Sequence, residues 1–208
     1  MPPWPTDTDD APSLPDGLLL ECLVTTLDQD GAVHLAPMGP IVDARFERLL
    51  LRPYAPSRTL ENLEWTGCGV LHITDDAALL ARCAIGVLQA PPATHPTPDG
   101  RGAVLADACR WRQFEVEAFD AAPQPARVVG RLTSGATLRD FVGFNRAKHA
   151  LIEAAILATR LDFLPHDEVL PQFTALESPV IKTGSHYELA AFREVQDFVN
   201  RRISGASS

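Results

Sequence analysis

The first half of the chain alternates apolar and polar positions, and the last third spaces them as helices do. Leu18–Leu27 is an apolar run rich in Leu, Val and Thr. Asp28-Gln29-Asp30-Gly31 follows as a turn in which Gly31 is free to take a positive φ. Ala32–Ala36 is then the returning strand of a hairpin. Phe46–Arg52 and Gly69–Thr74 read as further strands. Gln113–Phe119 sets Phe114, Val116 and Ala118 on one face and Glu115 and Glu117 on the other, the period of a half-buried strand. After a turn at Ala122–Pro125, Arg127–Thr133 pairs back with it.

Two short helices interrupt the strands. Ser57–Trp65 brings Leu60 and Leu63 to one side and stops at Gly67. Asp75 or Asp76 caps a second helix over Ala77–Ala84, which ends at Gly86. Leu138–Leu164 carries Leu138, Phe141, Val142, Ile152, Ala155, Ile156 and Thr159 at helical spacing, with Pro165 as terminator. Tyr187–Ile203 repeats the pattern through Leu189, Phe192, Val195, Phe198 and Val199. A mostly antiparallel β half followed by helices is α+β, not a βαβ alternation. A small closed or partly closed barrel leaves few strand edges.

Composition sharpens this picture. With 208 residues, 46% apolar and 22% charged, the chain is globular and long enough to bury a core without staples. The net charge of −9 argues against a nucleic-acid partner, and no apolar stretch approaches a membrane span. Cys22, Cys68, Cys83 and Cys109 are widely spaced and read as buried thiols in a reducing cytoplasm. Residues 1–16 hold five of the eighteen prolines and four aspartates without a cation, and read as a mobile tail with no signal-peptide character. Ala90–Gly102 reads as an exposed Pro-rich loop, and 204–208 as a frayed end. The expected organisation is a strand region over 17–137 and a helical region over 138–203 packed on it.

Three stretches could carry chemistry. In Arg52-Pro-Tyr-Ala-Pro-Ser-Arg-Thr-Leu-Glu-Asn62 a strand gives way to a helix start, where free backbone N–H groups, hydroxyls and two guanidinium groups could seat a phosphate. The plainer reading makes Ser57 an N-cap and Arg58 a solvated charge. In Ala36-Pro-Met-Gly-Pro40 two prolines bracket a glycine, so this backbone is expected to leave the sheet and to face a flat polar ring, or simply to kink. Arg146, His149 and Glu153 share a helix face, and line a polar pocket or form an exposed His149–Glu153 pair. His34 and His72 fall in strands without ligand spacing and read as packing residues. No Walker loop, G-x-S-x-G, H-E-x-x-H or G-x-G-x-x-G is present, and nothing points to hydrolysis or a metal.

Taken together, the motifs V-T-T at Val24–Thr26, Gly31, A-P-M-G at Ala36–Gly39, L-R-P at Leu51–Pro53, S-R-T-x-E-N-L at Ser57–Leu63, T-D-D at Thr74–Asp76 and the string Phe144–Arg160 closely resemble the family called domain of unknown function 447. That family belongs to the FMN-binding split-barrel group of flavin reductases and pyridoxamine-phosphate oxidases, and the likeness runs from Leu18 to Val199. The resemblance implies a six-stranded Greek-key split barrel, a homodimer, and FMN at the dimer interface. It implies that the FMN phosphate lies against Arg52, Ser57, Arg58 and Thr59 with Asn62 nearby. The ring would lie against Ala36, Pro37, Met38 and Gly39, with Thr25 and Thr26 as further contacts. The implied activity is that of a flavin-dependent oxidoreductase, with a link to tetrahydromethanopterin-based one-carbon metabolism. The alternatives are a non-catalytic flavin carrier or sensor, or an interaction module that holds a deazaflavin or pterin.

Overall fold

The computed structural model describes residues 17–205. The expected N-terminal tail and residues 206–208 lie outside the described residues. In chain order the strands are β1 (Leu18–Leu19), β2 (Cys22–Leu27), β3 (Val33–Met38), β4 (Ile41–Val42), β5 (Arg48–Leu51), β6 (Cys68–Ile73), β7 (Thr94–Pro96), β8 (Ala103–Leu105), β9 (Arg110–Asp120) and β10 (Arg127–Thr137). The helices are α1 (Arg58–Thr66), α2 (Ala77–Ala84), α3 (Arg146–Thr159), α4 (His166–Thr183) and α5 (His186–Gly205). The class is α+β with a split-barrel sheet. Among the described residues no helix is long and apolar enough to cross a membrane.

The chain forms two compact units, interleaved along the sequence. One holds the described residues to Leu71, Pro96–Val104 and Trp111–Ala136; the other holds His72–His95, Leu105–Arg110 and the described residues from Thr137.

In the strand unit the main sheet runs β1-β4-β5-β10-β9-β6-β2-β3, eight strands where the resemblance implies six. The added pair is β1 and β4, two residues each, in register Leu18↔Val42 and Leu19↔Ile41. The apolar run expected as one strand over Leu18–Leu27 therefore breaks at Leu20 and Glu21, and Leu20 N–H donates to Pro40 O. One face of the sheet carries Cys22, Val24, Leu49, Leu51, Leu71, Phe114 and Val128, covered by Leu60 and Leu63 of α1. Phe114 is fully buried, and its ring lies over Gly69, where an added Cβ would stand 2.6 Å from Phe114 Cζ. The strand expected from Phe46 starts only at Arg48, because Phe46 adopts φ 58 in a turn closed by its N–H to Asp43 O.

The segment expected as an exposed loop over Ala90–Gly102 is more structured than its prolines suggest. β7 pairs with β8, and Thr97 is buried and bonded through Oγ1 to Asp99 at 2.7 Å. Asp99 also accepts from Gln113 Nε2 at 2.8 Å.

The helical unit is built on small residues. Ala77, Ala78 and Ala81 of α2, Ala147, Ala150, Ala154 and Ala158 of α3, and Ala191 of α5 are all buried with Leu151, Val180, Val195 and Val199. Alanine at these contacts lets helix axes approach closely. Phe173 of α4 stacks on Phe192 of α5 with ring centroids 5.0 Å apart. Helix α3 starts at Arg146, not Leu138, because Gly143 takes φ 96 and Asn145 caps the helix by accepting from Ala147 and Lys148 N–H. Sequence reading assigns no element to 166–183, yet α4 fills it and carries Pro171 and Pro179 within the helix. Its buried Val169, Phe173 and Val180, with Leu176 packed against the same core, recur at helical spacing, and their packing outweighs the two lost backbone donors.

Candidate functional site

The hairpin of β2 and β3 sets His34 opposite Thr26, Leu35 opposite Thr25 and Ala36 opposite Val24. Directly opposed side chains share a face, and faces alternate along a strand. Cys22 and Val24 lie in the core beneath α1, so Thr26 and His34 are on that same face. Asn62 of α1 confirms it by donating Nδ2 to Thr26 Oγ1 at 2.9 Å, with both residues buried. Arg58 stands one helical turn before Asn62 and hence on the same side of α1. Thr25 points to the opposite face and donates Oγ1 to Ala103 O. Of the two threonines, Thr26 is on the helix side.

Ser57 is the N-cap of α1, in extended conformation, and its Oγ accepts from Leu60 N–H at 3.4 Å. Glu61 N–H donates to Ser57 O, so the N–H groups of Arg58 and Thr59 have no acceptor within the helix. These donors lie at the positive end of the helix dipole. Arg52, which follows β5, and Arg58 are both exposed. Among the described residues neither makes an ion pair or a side-chain hydrogen bond. Burial and the nearby charge of Arg58 hold the His34 imidazole below its ordinary pKa. Sequence reading takes His34 as a packing residue. The Asp28–Gly31 turn alone sets residue 26 across from 33; the observed pairing of Asp28 with Ala32 shifts the register by one and brings His34 there.

The Ala36-Pro-Met segment does not leave the sheet as expected. Ala36, Pro37 and Met38 pair with Val24, Leu23 and Cys22 inside β3. β3 is an edge strand, where a proline without an N–H forfeits no ladder bond on the free side. The same free edge leaves alternate backbone groups turned outward, which is the feature a polar ring requires. Gly39 does not owe its identity to crowding: an added Cβ would meet Leu19 Cδ2 at an ordinary 3.7 Å. Cys22 is buried, donates its thiol to Met38 O at 3.3 Å, and is pushed well up in pKa by burial and then by Glu21, so it is no nucleophile.

Arg146 and His149 belong to the helical unit, exposed on α3 on the side away from Ala147, Ala150 and Ala154. No His149–Glu153 ion pair forms among the described residues. The charged cluster of that unit lies elsewhere. Arg139 clamps Asp75 with two bonds of 2.6 and 2.9 Å, and Val142 N–H donates to the same carboxylate. Lys148 Nζ donates to Asp75 O and to Glu188 Oε1 at 2.8 and 2.9 Å. Burial raises the Glu188 pKa, but bonds from Ser185 and Lys148 outweigh it and bring the carboxyl down to about 2. Arg82 chelates Glu194 at 2.7 and 3.0 Å and lies over the Tyr187 ring.

The donor set at the start of α1 suits a phosphate: backbone N–H groups, a hydroxyl and the Arg58 guanidinium, with Arg52 a second cation in the loop that leads to the helix. Residues 20–138 match the model described as Protein of unknown function (DUF447) N-terminal domain, and residues 145–196 match Protein of unknown function (DUF447). No curated protein matches the chain. Among solved structures, the chain is similar to an FMN-bound protein from Methanosarcina mazei assigned to the same family model, at 22% identity and a TM-score of 0.72. That match covers 86% of this chain and 94% of the other. It is also similar to the flavin reductase HpaC, solved with NADP+, at 15% identity and a TM-score of 0.50, covering 61% of this chain and 82% of that one.

Proposed function

The chain belongs to the DUF447 family, and on that premise we propose that it binds FMN and works as a flavin-dependent oxidoreductase of the flavin reductase kind. One observation carries the reading. Arg58, unpaired like Arg52 among the described residues, and the open N–H groups of the first turn of α1 sit on a helix that packs against the edge strand β3, with Arg58 within electrostatic reach of His34. The FMN-bound state of the Methanosarcina mazei protein supports the choice of nucleotide. FMN supplies the hydride and electron chemistry when bound. The chain itself anchors and orients. Arg52, Arg58 and the N–H groups of Arg58 and Thr59 neutralise phosphate charge. Asn62 holds Thr26 in place on the facing strand, and the outer edge of β3 offers backbone groups to the ring.

The working unit we propose is a homodimer. Tyr54, Trp65 and Val33 expose apolar surface on the strand unit that a second copy would cover. The proposed link to tetrahydromethanopterin chemistry is carried by the family resemblance alone. The test is the small molecule retained through gel filtration and released on denaturation, identified by absorbance and mass, followed by turnover with reduced nicotinamide. FMN at one per protomer with steady turnover is the expected result. Retained FMN without turnover would turn the reading to a carrier or sensor. A colourless protein indifferent to added FMN would end it.

A further inference from the structure

The strand facing the helix start carries a group that the phosphate reading leaves unused. His34 lies across from Thr26, on the face covered by α1, within electrostatic reach of Arg58. It is half-buried, and among the described residues its imidazole has no hydrogen-bond partner. His72, the buried histidine of β6, is different: its Nε2 accepts from Leu105 N–H at 3.0 Å. Among the described residues the buried His72 thus has a partner for its imidazole, and His34 has none.

We propose that His34 is a ligand of the nucleotide phosphate at this site and takes up a proton from solvent as that phosphate docks. The inference rests on the FMN reading above. Two facing groups decide the charge balance around the imidazole. From α1 it is Arg58, a fixed cation; from β2 it is the uncharged Thr26 hydroxyl. Without ligand, a second positive charge beside Arg58 is opposed, and His34 stays neutral at pH 7. A phosphate dianion between the two reverses that sign, because an imidazolium then gains a charge-assisted bond to oxygen. Binding and protonation are thereby linked, and each favours the other.

The experiment measures FMN and riboflavin binding to the full chain by flavin fluorescence from pH 5.5 to 8.5, for the native protein, for H34Q and for the S57A/R58A double variant. Riboflavin lacks the phosphate and reports on the ring alone. The native protein is expected to bind FMN about tenfold more tightly than H34Q at pH 6, a gap that closes to about twofold or less by pH 8.5. Riboflavin is expected to show no such gap. Comparing the two proteins at each pH cancels the titration of the FMN phosphate itself. A gap that is absent or constant with pH overturns the role of His34 while leaving the phosphate seat in place. FMN affinity indifferent to the S57A/R58A change removes the seat and the role of His34 with it. If H34Q does not fold, NMR titration of His34 in the native protein decides: its pKa rises on adding FMN and not riboflavin, and an unchanged pKa overturns the proposal.

Discussion

In the helical unit, Arg82, Arg139 and Lys148 are each bound to a carboxylate: Glu194, Asp75 and Glu188. In the strand unit, Arg58 at the start of α1 and Arg52 in the loop before it have none among the described residues. The first arrangement spends its charge on the fold. A carboxylate as buried as Asp75 or Glu188 is tolerable only because cations and N–H groups surround it. The second arrangement leaves cations and helix N–H groups facing outward, where they add little to stability but raise affinity for an anion. Residues of the same chemical type thus serve folding in one place and recognition in another, and what separates the two uses is whether an acid was built next to the base.

The sharpest test of that division removes an acid from the helical unit. Asp75→Ala strands Arg139 and the Val142 N–H, while Lys148 keeps its bond to the backbone carbonyl of residue 75. We expect a loss of about 3 kcal/mol in urea unfolding, at the low end for a broken buried pair because Arg139 is partly exposed. FMN affinity measured below the unfolding transition should stay within about twofold of native. A parallel loss of affinity would break the comparison. The converse change, Ser57→Ala with Arg58→Ala, should weaken FMN binding roughly 10- to 100-fold, about 1.4–2.7 kcal/mol. Stability should fall by only about 1 kcal/mol, the usual value of an N-cap hydroxyl. Full retention of flavin through gel filtration by this double variant would show that the seat lies elsewhere.

Much of this division could be read from the sequence, and the failures have physical causes. Ser57 as N-cap, Gly67 as helix stop, Asp75 or Asp76 as cap of α2 and the Asp28–Gly31 turn follow from short-range rules, and the structure keeps them, with Asp76 as the cap. The alternation around Phe114 holds for Phe114 and Val116, which face the core. It fails at its end, where Ala118 is exposed and Phe119 packs on that core, while Gln113 is buried beside Phe114 because both faces of the strand are covered there. Proline is where local rules fail. Pro37 sits in a strand because that strand is an edge, and Pro171 and Pro179 sit in a helix because Val169, Phe173 and Val180 bury one side of it. Edge position and tertiary burial are not local properties, so a local rule for proline misses both. The clamp of Arg139 on Asp75 joins residues 64 apart in sequence, and no spacing rule reaches that far. His34 lies one residue beyond that reach: the Asp28–Gly31 turn alone pairs 26 with 33, and the observed pairing of Asp28 with Ala32 moves the register to 34.

The smallest expected effect falls at Gly39, and it bears on what kind of recognition the strand unit performs. If the ring-facing segment depended on a bare backbone, a methyl group there would obstruct it. The atoms nearest an added Cβ are those of Leu19 at 3.7 Å and the Leu20 carbonyl at 3.9 Å, and Gly39 has no positive φ to lose. Gly39→Ala is therefore expected to change stability by no more than about 0.5 kcal/mol, with a slight gain from the stiffer unfolded chain. Its FMN affinity should match the native value within about twofold if the uncommitted cations and the β3 edge carry recognition. Loss of FMN by an otherwise stable G39A protein would mean that the ligand approaches this Cα through the space a methyl fills, and recognition would then belong to the backbone as much as to Arg52 and Arg58.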